Sequence, residues 1–126
     1  MSRYIKANNE LKDSEIEFED EIIIKDKEIN AYIKTSNINL EDKFNLKYKD
    51  DSYYDMYLNY NYAKDKVNIE IVFVSDSERK YYYYLPNSRE KDILIRNLER
   101  YIKEEYNQTI KEFIKEYEEE EEQEEV

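Results

Sequence analysis

Val67-Asn68-Ile69-Glu70-Ile71-Val72-Phe73 decides the fold class. Apolar residues at 67, 69, 71 and 73 face polar Asn68 and Glu70 on the other side. That period-2 alternation marks a strand with one buried face, and the β-branched and aromatic content agrees. Working outward, the same alternation recurs at Tyr54, Met56, Leu58, Tyr60 and Tyr62, and again in the run Tyr81 to Leu85. Upstream it appears at Ile29, Ala31 and Ile33, at Phe44, Leu46 and Tyr48, and at Ile16, Phe18, Ile22 and Ile24. The breaks between runs are short and polar, so successive strands pair antiparallel. The chain has no glycine, which makes tight primed two-residue turns costly and favours four- or five-residue loops. The expectation is an antiparallel meander of about five or six strands.

Pro86 ends the strand series, and Asn87 with Glu90 has the spacing of a capping box. Beyond it, apolar residues at Ile95, Leu98, Ile102, Tyr106, Ile110, Phe113 and Tyr117 are spaced three or four apart, one continuous helical stripe. A helix from Ser88 to Tyr117 would run roughly 45 Å, longer than a small sheet is wide. The fold class is therefore α+β, a meander packed on one long C-terminal helix. With 126 residues the chain holds one domain. Residues 1–13 read as an arm or short helix, 14–117 as the domain, and 118–126 as a disordered acidic tail.

The absences bound the chemistry. There is no His, Cys or Gly. Disulfides, Cys/His zinc sites and triads built on His or Cys cannot be written in this chain. Neither can the glycine-dependent phosphate loops or the nucleophile elbow. Ser88-Arg89-Glu90-Lys91 spells S-x-x-K, but a helix-capping region explains the same letters. The expectation is a protein that is not an enzyme and carries no cofactor and no metal. The first ten residues lack an apolar core of the signal-peptide kind, and no run approaches a membrane span. The expected location is the cytoplasm, the host's if the gene is viral.

The net charge of −12 is concentrated. Residues 116–126 hold eight Glu and no base, residues 13–24 hold six acids and no base, and the rest of the chain is +2. A terminal run of like charge stays solvated. The first block is different, because Glu15, Glu17, Glu19 and Glu21 alternate with apolar Ile16, Phe18 and Ile22. On a strand the glutamates would form one row at steps of roughly 6.8 Å. Lys25, Lys27 and Lys34 are placed to neutralise such a row from a neighbouring strand.

There are 15 Tyr against 4 Phe and no Trp. About half of these rings belong to the core by alternation. The others suit a protein-binding face, and the acidity argues against direct nucleic-acid contact. The candidate partner-binding residues are therefore Glu15, Glu17, Glu19, Asp20, Glu21, Tyr53 and Tyr57. Small, acidic and free of catalytic motifs, the chain resembles phage anti-CRISPR and anti-restriction proteins in composition alone, with no shared motif. That resemblance implies an inhibitor standing in for nucleic acid on the basic surface of another protein. The alternatives are an immunity protein for a basic toxin, or a module that homodimerises through the helix face of Leu98, Ile102, Tyr106, Ile110 and Phe113.

Overall fold

The computed structural model describes residues 3–124, with side chains described for residues 3–118. Six strands form one sheet: β1 (Arg3–Tyr4), β2 (Ile23–Lys25), β3 (Glu28–Ile33), β4 (Tyr53–Asn61), β5 (Lys66–Val74) and β6 (Arg79–Tyr84). Among the described residues three α-helices accompany them, α1 (Leu40–Phe44), α2 (Ser88–Tyr106) and α3 (Ile110–Glu124), with 3-10 turns at Asp13–Glu15 and Thr35–Asn37. The spatial order is β1-β6-β5-β4-β3-β2. From β2 to β6 the strands are an antiparallel meander in sequence order. The sheet is mixed, because β1 adds to β6 in parallel, Arg3 opposite Tyr82 and Tyr4 opposite Tyr83. Arg3 and Tyr4 thus form an edge strand, and residues 5–12 follow without helix or strand.

The alternation of β4 and β5 does what it promised. Met56, Leu58, Ile69 and Ile71 are fully enclosed on one face, with Ile29, Ala31 and Ile33 beside them from β3. Against this face α2 lays Leu94, Leu98 and Ile102, each with no exposed surface. Each such side chain removed from water contributes roughly 1.5–3 kcal/mol. The start of α2 follows the expected capping box, with the Asn87 side chain accepting from the Glu90 N–H and the Glu90 carboxylate accepting from the Asn87 N–H.

Four expectations need correction. The single long helix is two helices. Asn107 takes left-handed backbone (φ 54°) and closes α2, and Thr109 with Glu112 caps α3 reciprocally. The break lets α3 turn back, so that Tyr106 and Phe113 meet with ring centroids 4.9 Å apart. Helix α3 then continues to Glu124, through most of the stretch expected to be disordered; residues 125–126 lie outside the described residues.

The second correction concerns residues 44–48, which are not a strand. Phe44 ends α1 and Leu46 follows the left-handed Asn45 (φ 57°), both buried. Here the alternation reported burial only. Third, residues 15–21 are not a regular strand. Asp13–Glu15 is a 3-10 turn, Phe18 makes one bridge to Ile33, and Asp20 is left-handed (φ 64°). Fourth, β2 and β3 are joined by a two-residue turn, Asp26 and Lys27, both at positive φ (51° and 65°). The other hairpins use the expected four-residue loops, 62–65 and 75–78. Among the described residues seven positions are left-handed and six of them are Asp or Asn, the residues that tolerate this region best when glycine is absent.

Candidate functional site: the open face of the sheet

Helices cover one face of the sheet, and the other carries no element of the described chain. Strand alternation and register place its residues. From β3 come Asn30 and Tyr32; from β4, Tyr53, Asp55, Tyr57 and Asn59. From β5 come Asn68, Glu70, Val72 and Val74; from β6, Arg79, Tyr81 and Tyr83. Val72 is only 6% exposed, yet it lies outside the hydrophobic core. Its shielding comes from larger side chains on its own face.

The face is ordered in transverse rows. One is an amide ladder: Asn30 donates to Asn59 (2.7 Å) and Asn59 donates to Asn68 (3.0 Å). The next row crosses the whole sheet as Glu19, Tyr32, Tyr57, Glu70, Tyr83 and Tyr4, roughly 24 Å at the spacing of neighbouring strands. Glu19 joins because its N–H bonds the Tyr32 carbonyl (3.2 Å) beside the Phe18 bridge. Since Phe18 points into the core, Glu17 and Glu19 point to the open face. Tyr32 meets Tyr57 edge to face (centroids 5.6 Å, 69°), and Tyr4 meets Tyr83 (5.9 Å, 44°).

The charges on this face do not cancel. Glu17 is paired with Lys34 at 3.1 Å. Among the described residues Glu19, Asp55 and Glu70 make no ion pair. Their neighbours are tyrosines: Tyr32 donates to Asp55 (3.4 Å), and Tyr83 stands opposite Glu70 in the register. The tyrosines register the surplus. Burial pushes the Tyr32 hydroxyl above its usual pKa, and Asp55 and Glu19 push further. Burial, then Asp55 and Glu70, do the same for Tyr57, with Arg79 opposing. Tyr83 is raised by burial and by Glu70.

The residues singled out from sequence are thereby divided. Glu17, Glu19, Tyr53 and Tyr57 share the open face, with Tyr53 52% exposed. Glu15 is withdrawn, its carboxylate bound to the buried Lys43 ammonium at 2.9 Å and to the Lys12 N–H at 2.8 Å. Asp20 occupies the left-handed turn where its carbonyl accepts the Tyr101 hydroxyl (2.6 Å), and Glu21 is exposed beyond it. Asp55, Glu70, Tyr32, Tyr83 and the Asn ladder were missed. The signal for them was present as the complement of the apolar positions on β3, β4, β5 and β6.

The helix face meant for a second copy is spent within the chain. Leu98, Ile102 and Ile110 are buried, and Tyr106 and Phe113 pack on the same core. Among the described residues no group of three or more acids is gathered to hold a metal, and no helix is long and apolar enough to cross a membrane. No family of known proteins matches the chain, and no curated protein or solved structure does so either.

Proposed function

We propose that this protein works by binding, as an antagonist that lays the open sheet face on the basic, nucleic-acid-binding surface of another protein, in the manner of an anti-defence inhibitor. The observation that carries this reading is the set of three carboxylates, Glu19, Asp55 and Glu70, which make no direct ion pair and stand among half-buried tyrosines, with Lys34 and Arg79 as nearby cations. A carboxylate left without a cation on a shaped, aromatic surface is complementary to Lys and Arg, and attraction of this kind speeds encounter and selects partners. Tyrosine adds contact area at little entropic cost. Glu19 and Glu70 stand three positions apart in one row, and Asp55 lies in the next. Charge complementarity therefore supports the reading, whereas phosphate-like spacing does not.

The test uses a purified CRISPR effector or restriction enzyme as partner. Immobilised protein is expected to retain it at low salt, release it as salt rises, and lose it to added duplex DNA. Retention indifferent to salt, or none at low salt, overturns the reading. Changing Glu19→Gln, Asp55→Asn and Glu70→Gln together should weaken retention more than truncation after Tyr117. The reverse ranking would move the contact to the C-terminal glutamates.

A further inference from the structure

We infer that the anchoring group of the partner is an arginine side chain, seated between Tyr57 and Tyr83 with its guanidinium on Glu70. This rests on the binding reading above and names the chemistry that the face selects. Register sets Tyr57, Glu70 and Tyr83 side by side on three consecutive strands. The outer two strands stand roughly 9.6 Å apart, twice the interstrand spacing. Two aromatic side chains thus flank a carboxylate, at a strand separation that leaves room for one flat group between them.

The walls are held in place. Tyr32 packs on Tyr57 and Tyr4 packs on Tyr83, so each wall ring has a second ring in contact with it. Glu70 stands opposite both walls in the register, and a carboxylate has several acceptor sites to offer. Asp55 borders Tyr57 and adds negative potential there, which Arg79 partly offsets, and Glu19 does the same beside Tyr32.

Arginine fits this seat better than lysine for physical reasons. Its guanidinium is planar, stacks on aromatic faces, is weakly hydrated and offers paired donors to a carboxylate. An ammonium is compact and strongly hydrated, and gains less from a slot between two rings.

The experiment compares two synthetic peptides of equal length and charge, one carrying arginine and the other lysine, titrated into the full chain at low salt by calorimetry. The arginine peptide is expected to bind at least tenfold tighter. Tyr83→Leu and Glu70→Gln should each reduce that preference to less than threefold while the circular dichroism stays unchanged. Equal affinities overturn the arginine seat and leave a basic partner intact. Failure of both peptides to bind overturns both readings. An arginine preference that survives both substitutions places the seat elsewhere and overturns the assignment to Glu70.

Discussion

Glu90 shows how a single carboxylate can be enclosed without a cation. It has no exposed surface, and its oxygens accept from the Leu11 N–H (2.7 Å), the Tyr84 hydroxyl (2.7 and 2.8 Å) and the Asn87 N–H (2.9 Å). The N-terminus of α2 adds its own positive partial charge. Lys43 is the counterpart with opposite sign, 3% exposed, donating to the Glu10 carbonyl (2.8 Å), the Glu15 carboxylate (2.9 Å) and the Asn9 side chain. Both groups reach residues 9–15 and fasten that segment to the body. Glu90→Gln turns one acceptor into a donor that faces other donors, and should cost roughly 2–4 kcal/mol. Urea denaturation measures the loss. Faster amide exchange at Leu11, before any change in the β4–β5 amides, would trace it to this fastening.

At the scale of elements, the break between α2 and α3 is governed by two residues. Thr109→Ala should cost about 1 kcal/mol by removing the cap of α3. Asn107→Gly should be neutral or stabilising, because glycine enters the left-handed region without a Cβ penalty. Thermal melts of the two variants should shift in opposite directions or leave the second unchanged; equal losses would mean the break is set by packing of Tyr106 on Phe113.

These signals were legible. Asn107 and the Thr109-to-Glu112 spacing lie inside an unbroken apolar stripe, and periodicity passes straight through a cap when the next helix presents the same face. The alternation at 54–60 and 67–73 gave true strands because each run has a paired neighbour on both sides. At 16–22 and 44–46 the same alternation described buried and exposed residues on irregular backbone. No strand lies alongside to regularise residues 44–46, and the left-handed Asp20 interrupts the first run. The open face was half legible. Tyr53 and Tyr57 stood out by composition, but Glu19, Asp55 and Glu70 become neighbours only through register across four segments of chain.

For the whole molecule, tyrosine chemistry sets the alkaline limit of stability. Burial, first, and nearby ionisable groups, second, push Tyr54 and Tyr60 up to about 12. Tyr84 is raised too, by burial and by its bond to Glu90. An unfolded chain ionises its tyrosines near pH 10. The folded state is therefore favoured in full below about pH 10 and loses this contribution as pH rises toward 12, on the order of 2 kcal/mol for each of Tyr54 and Tyr60. Urea midpoints should fall across that interval, with tyrosinate absorbance rising in step. A midpoint that holds steady to pH 12 would contradict the assignment.

The parallel seam between β1 and β6 has a consequence for the order in which the protein assembles. Leu11, just past the seam, finds its acceptor 79 residues away. The meander needs only short loops to close, whereas this contact waits until nearly the whole sheet exists. Residues 3–11 are therefore expected to close the structure last, after the rate-limiting step. Deleting residues 1–5 should leave the folding rate within about twofold and raise the unfolding rate by tenfold or more, read from stopped-flow kinetics in urea. The segment from β1 to Leu11 would then act as the latch that sets how long the native state endures.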